Sequence, residues 1–157
     1  MVAESFLRHE PADGSKPHLV SIQRDPERAA TLEGTIGSVQ LRYHSLQLVP
    51  VDLVDDLPGI WHALLDAVEG YLAEGSSEVP YPSIDANILL TGTGSIAKFT
   101  VGKVRHIVDA GELVEGILAG AADYFGSAST SGSGAQDEEI ARIGRLRTRA
   151  AAAGLSA

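Results

Sequence analysis

The chain has 157 residues, of which 44% are hydrophobic and 21% charged, the composition of one ordinary globular domain. It contains no cysteine, which excludes disulfides, thiolate metal sites and thiol nucleophiles. Residues 34–126 carry four bases against twelve acids and hold most of the negative charge. Because nucleic acids are bound by Lys and Arg side chains that neutralise phosphates, we expect no nucleic-acid binding by this region. An acidic surface instead suits a basic protein partner.

No apolar stretch reaches the roughly 20 residues that a membrane span requires. The first six residues lack the basic and apolar segments of a secretory signal. We therefore expect a cytoplasmic protein without a membrane partner.

Turn-forming residues dominate the amino-terminal segment, where residues 1–17 contain two prolines and an Asp-Gly pair but no apolar period. This composition predicts a flexible arm, followed by a folded domain over residues 18–126. A short strand is expected from His18 and a brief helix after Asp25-Pro26. The alternation of Ser38 to His44 predicts a half-buried strand.

The clearest predicted element is a helix that opens at Asp55-Asp56-Leu57-Pro58-Gly59. Asp56 is placed to cap its free backbone N–H groups, and Gly75 lies where a helix-ending glycine is expected. The apolar residues between these limits recur at spacings of three and four and predict one buried stripe: Leu57, Ile60, Trp61, Leu64, Leu65, Val68, Tyr71 and Leu72.

Further strands and a second helix complete the predicted domain. Residues 86–91 and 96–101 are typical of strands joined in a hairpin, and residues 104–108 of another strand. Asp109, with Glu112 three residues later, predicts the start of a second amphipathic helix ending near residue 126. Hairpin-length connections favour an α+β fold, in which two amphipathic helices pack on an antiparallel sheet.

The carboxyl-terminal segment differs in composition. Residues 127–135 are rich in Gly and Ser and predict a flexible linker. Residues 136–157 place acids before bases, which complements a helix dipole and predicts a short helical tail that orders only against another surface.

Searching for catalytic and metal-binding patterns gives no decisive motif. The five histidines lack metal-ligand spacing, so we expect no metal or cofactor. His62 and Asp66 lie one helical turn apart, and we interpret them as part of a solvated face or, less simply, as an acid–base pair. Three residues of a Gly-x-Gly-x-x-Ala pattern are candidates for a ligand loop, although a hairpin turn explains the same residues: Gly92, Gly94 and Ser95.

Partner-binding candidates fall in two groups. The first comprises three acids and one aromatic residue outside the predicted apolar stripes: Asp52, Asp55, Tyr81 and Asp85. Tyr81 lies between two prolines, and either an exposed anchor or a packed loop agrees with that setting. The second group is a short amphipathic set in the tail: Ile140, Ile143, Leu146 and Arg147.

Several segments together resemble small actinobacterial domains of the immunity-protein kind. The resemblance is carried by residues 37–42, the helix start at residues 56–65, the later strand pair and the helix over residues 112–125. It implies a non-enzymatic domain that binds and neutralises a basic protein partner. Self-association stays open.

The tail segment Ile143-Gly144-Arg145-Leu146-Arg147, after a Gly/Ser linker, resembles the docking peptides that load cargo into bacterial encapsulin shells. This second resemblance implies a component of a larger assembly, recruited through its tail. A small-molecule binder or enzyme that uses the loop from Gly92 to Ser95 is the third hypothesis.

Overall fold

A computed structural model describes residues 1–128 and 134–155 and confirms the α+β class. Among the described helices, none is long and apolar enough to cross a membrane. The elements follow in the order β1 (Val2–His9), β2 (His18–Ser21), α1 (Pro26–Ala30), β3 (Ile36–Tyr43), β4 (Leu46–Gln47), β5 (Asp55–Asp56), α2 (Leu57–Glu74), β6 (Ser76–Pro80), β7 (Asn87–Thr93), β8 (Ile96–Val101), β9 (Val104–Asp109), α3 (Ala110–Ala128) and α4 (Gly134–Ala152).

The strands form two antiparallel sheets, where the sequence predicts one. The first sheet has the order β2-β1-β3-β4, with β5 also paired to β3. The second is a meander of neighbouring strands in the order β6-β7-β8-β9. Its predicted central hairpin is confirmed, since Thr93 pairs with Ile96 across a two-residue turn. Helices α2 and α3 lie against both sheets and share one hydrophobic core with them.

The prediction of a flexible arm over residues 1–17 is wrong for residues 2–9, because they form β1, which lies inside the first sheet between β2 and β3. Two of its core-facing positions are the small Ala3 and the polar Ser5, and only Leu7 adds a large apolar side chain, so the segment shows no clear apolar period. Buried Ser5 accepts a hydrogen bond from Trp61 Nε1 at 3.0 Å. A Cβ atom on Gly120 of α3 would lie 2.5 Å from the Ala3 side chain, so glycine lets this helix approach the strand closely.

The predicted helix after Asp56 is confirmed as α2. The Asp56 side chain accepts a hydrogen bond from the backbone N–H of Gly59 at 3.0 Å. Gly75 ends the helix with φ of 77°, a left-handed conformation that glycine adopts without a side-chain clash. Asp109 caps α3 in the same way, accepting from the N–H of Glu112 at 2.9 Å.

The carboxyl-terminal boundaries differ from the prediction. Residues 127 and 128 belong to α3, and residues 134 and 135 belong to α4, so the predicted linker over 127–135 is wrong at both ends. The rest of that linker prediction, residues 129–133, lies outside the described residues. Helix α4 packs on α3 and α2 and buries Ile143, Leu146 and Ala150, so the predicted tail is part of the core.

Candidate functional site

Three residues of the first predicted group lie in two loops, and the fourth, Asp55, directly follows one loop and hydrogen bonds to the other. Loop 48–54 connects β4 to β5, and loop 81–86 connects β6 to β7. The first two residues of loop 48–54 are apolar and almost fully buried, which anchors it in the core. We call loops 48–54 and 81–86 the acidic loop pair, since each presents one exposed aspartate, Asp52 and Asp85.

The buried side chain of Asp55 connects the two loops of the acidic loop pair. Its side chain is 3% exposed and accepts hydrogen bonds from the backbone N–H groups of Ser83 at 2.8 Å and Ile84 at 3.0 Å. The Ser83 hydroxyl donates to the same carboxylate, and so does the N–H of Asp56 at 2.7 Å. Burial alone would raise the pKa of Asp55, but these hydrogen bonds together lower it below its ordinary value. Asp55 therefore tethers loop 81–86 to the start of α2, and the prediction that it contacts a partner is wrong.

Tyr81 supports loop 81–86 from below. Its side chain is only 4% exposed, and its backbone N–H donates to the carbonyl of Ala86 at 2.8 Å, which closes the loop. Burial, with the Asp55 charge as a second cause, raises the pKa of its phenol. Pro82 packs so closely on Gly59 that a Cβ there would lie 2.6 Å from its ring. Of the two interpretations of Tyr81, the packed loop is confirmed and the exposed anchor is wrong.

Asp52 and Asp85 are the two candidates of the first group that reach solvent. Both are exposed, and neither forms an ion pair with any base in residues 1–128 or 134–155. The neighbouring Val51 is 56% exposed, so loop 48–54 presents an apolar side chain beside a carboxylate. Leu53 lies 3.8 Å from the position of a Cβ on Gly102, in the turn between β8 and β9. The acidic loop pair thus stands at the β8–β9 turn end of the second sheet.

Three of the four tail residues in the second group contact other parts of the same chain. Ile143 and Leu146 are each 1% exposed against the core, while Ile140 remains 40% exposed. Arg147 donates to both carboxylate oxygens of Glu115 on α3, at 2.8 Å from Nη2. The prediction that Ile143 and Leu146 are free to dock elsewhere is wrong, because α4 buries them against its own chain.

An ion-pair cluster between α2 and α4, which the sequence analysis missed, holds the tail helix. Arg142 donates to Asp66 at 2.5 Å and to Glu69 at 2.6 Å, and Arg149 lies 3.6 Å from Glu69. Burial would lower the pKa of Arg142, but the hydrogen bonds to Asp66 and Glu69 raise it above its ordinary value. The sequence signal for this cluster is the charge of residues 127–157, four bases against three acids, behind a strongly acidic domain. The charge pattern alone predicts an external basic partner for the acids of that domain. Here the basic partner of these acids is the chain's own helix.

The remaining candidates have structural explanations. Gly94 and Ser95 form the hairpin turn between β7 and β8, in which Gly94 has φ of 63°, and Gly92 lies in β7 opposite Ala97. A dinucleotide fingerprint must open a helix, and β8 follows instead, so the dinucleotide interpretation of this loop is wrong.

His62 does not pair with Asp66. Its Nδ1 lies 3.6 Å from Glu139 on α4, while Asp66 binds Arg142. Over the part of the chain that the structure describes, no group of three or more His, Asp or Glu side chains is arranged to hold a metal ion.

Comparison of the chain with protein-family models, with curated proteins and with solved structures finds no match in any of the three.

Proposed function

We propose that this chain is a protein-binding domain that presents the acidic loop pair to a basic surface of a partner protein. The observation that supports this proposal is the use of a buried carboxylate, Asp55, to hold two exposed loops in one arrangement. A preordered loop loses less conformational entropy when it binds, so more of the contact energy contributes to affinity.

The charges of the acidic loop pair favour a basic partner. Asp52 and Asp85 lack ion-pair partners among the described residues, whereas Asp66, Glu69 and Glu115 are occupied by arginines of α4. Unpaired acids steer a basic protein during encounter and add specificity, and Val51 supplies apolar area at the same place. In its finer form, which rests on the resemblance to immunity proteins, the partner is a toxin that binding neutralises.

The alternative, recruitment into an assembly through the carboxyl-terminal segment, requires α4 to leave the core. Ile143 and Leu146 would have to exchange their present contacts for those of a shell protein. The burial of both side chains favours the loop-based proposal.

Affinity capture from the native cell lysate tests the proposal with the full chain. We compare the wild type with the double variant Asp52→Lys, Asp85→Lys, and with a control double variant, Glu33→Lys, Asp123→Lys. Glu33 and Asp123 are also exposed acids, so both double variants change the net charge equally.

The proposal predicts a basic protein that the wild type and the control retain, that the loop variant loses, and that moderate salt releases. Equal retention by the loop variant would contradict it. If the captured protein is lost only in an Ile143→Asp variant that still folds, the result would favour the assembly alternative.

A further inference from the structure

Strand β9 is the end strand of the second sheet, and one of its sides is unpaired. It pairs with β8 over residues 104–109. On its other side, no strand of the described ranges pairs with it. The carbonyl of Asp109 is used by α3, which begins at the next residue, so the free main-chain groups are those of Arg105 and Ile107 and the N–H of Asp109. The Ile107 side chain is 64% exposed and lies on the sheet face away from the helices. An end strand with free N–H and C=O groups is a template for pairing with another strand.

The hairpin geometry determines which groups of β9 point outward. Val101 and Val104 flank a two-residue turn and therefore form a hydrogen-bonded pair. Hydrogen-bonded and non-bonded pairs then alternate along the strands. His106 and Val108 accordingly direct their N–H and C=O groups to β8. Arg105 and Ile107 direct theirs to the free side, as does the N–H of Asp109, while the Asp109 carbonyl accepts the first hydrogen bond of α3.

The side chains of Arg105, Ile107 and Asp109 are complementary to the same three side chains on a second copy of the chain. When two copies of β9 run antiparallel with Ile107 at the centre, Ile107 faces Ile107 of the second copy. Arg105 then faces Asp109 of the second copy, and the reverse pair forms by symmetry. Apolar and opposite-charge pairs across strands are both stabilising, and a two-fold contact of this kind closes into a dimer.

The other end strands are less suited to this contact. Strand β6 ends with Pro80, which has no N–H to donate. Strand β4 has two residues, and β2 has four and lies beside α1. We propose that β9 pairs antiparallel with β9 of a second copy of this chain, centred on Ile107, which joins the two meanders into one eight-stranded sheet.

Paired charge reversal tests this dimer by analytical ultracentrifugation of the full chain. Arg105→Glu alone places the introduced glutamate opposite Asp109, and Asp109→Lys alone places the introduced lysine opposite Arg105. Each like-charge pair occurs twice, so we expect each variant to raise the dimer dissociation constant about tenfold or more. In an equal mixture the introduced glutamate faces the introduced lysine and Arg105 faces Asp109, so dimers should return as mixed dimers.

Asp109 also caps α3, so its replacement weakens the helix start, and circular dichroism follows folding of each variant. Recovery in the mixture shows that both variants are folded. A matched pair supplies the control: Ile107→Lys should abolish the dimer, whereas Ile36→Lys, on β3 of the first sheet and 47% exposed, should leave it largely intact.

A wild type that is monomeric over the whole concentration range would overturn the proposal. A dimer that neither charge reversal weakens would overturn it as well, and so would a mixture in which dimers do not return. The acidic loop pair is not used in this contact, so failure here leaves the proposed function standing.

Discussion

The acids of the helices and the acids of the loops differ in what they are free to bind. Asp66 and Glu69 on α2 and Glu115 on α3 are held by arginines of α4 at 2.5 to 2.8 Å. Asp52 and Asp85 in the acidic loop pair have no such partner among the described residues. Each of these five acids counts equally in the net charge of −9. The net charge therefore favours a partner of opposite charge. The positions of the arginines that pair with acids show which acidic surface remains available for binding.

The largest effect is expected at the carboxylate that orders the acidic loop pair. Asp55→Ala leaves the N–H groups of Ser83 and Ile84 without their acceptor, so it should lower the free energy of unfolding by about 3 kcal/mol. Asp52→Ala, in the same loop region but exposed, should change it by less than about 0.5 kcal/mol. Urea unfolding measures both, and equal effects would contradict the tethering role of Asp55.

The same carboxylate predicts a pH dependence. The pKa of Asp55 is lower in the folded chain than its ordinary value of 3.8, so its stabilising contribution is complete at neutral pH. It is lost as the pH falls through that value towards the folded pKa. Urea unfolding of the wild type should therefore show a steeper loss of stability below about pH 4 than the Asp55→Asn variant does. Parallel pH profiles would exclude this linkage.

The docking of α4 should depend first on its apolar stripe. Leu146 is 1% exposed, and Leu146→Ala should cost about 2–4 kcal/mol in the stability of the docked helix. Ile140, 40% exposed on the same helix, is the matched control, and its replacement by alanine should cost less than about 1 kcal/mol. Hydrogen exchange of the α4 amides reports the docking, and equal exchange in the two variants would refute the observed helix orientation.

The ion pairs of α4 should contribute less than its apolar contacts. Arg142→Ala removes the hydrogen bonds to Asp66 and Glu69, whose side chains are about half exposed, and should cost about 1 kcal/mol. Arg145→Ala, exposed on the same helix, should cost almost nothing. Thermal melts at low and high salt measure the difference, which should shrink as salt screens the pairs. A difference that salt leaves unchanged would assign the effect of Arg142 to packing.

The sequence predicts the elements whose signals are local. The cap, stripe and terminating glycine of α2 lie within twenty consecutive residues, and the hairpin between β7 and β8 follows from a glycine turn between apolar runs. Strand β1 is not predicted, because its inward side chains pack against or hydrogen bond to residues that are distant in the sequence. Small Ala3 faces Gly120, and Ser5 satisfies Trp61, so no apolar period is needed.

The candidate site is only partly predictable for the same reason. The exposed positions of Asp52 and Asp85 agree with loop composition, which is local information. The burial of Asp55 depends on Ser83 and Ile84, which come 28 and 29 residues later in the sequence. The arginines of α4 reach the acids of α2 over more than 70 residues, so no spacing in the sequence shows this pairing.

Carboxylate labelling with a water-soluble carbodiimide, read by mass spectrometry, measures directly which acids are available. In the full chain, Asp52 and Asp85 should react fast, Asp55 should be protected by burial, and Asp66, Glu69 and Glu115 should react slowly. In the variant Arg142→Ala, Arg147→Ala, the three helical acids should become faster while Asp52 and Asp85 keep their rates. Equal labelling of the loop and helical acids in the wild type would contradict the division between occupied and available carboxylates.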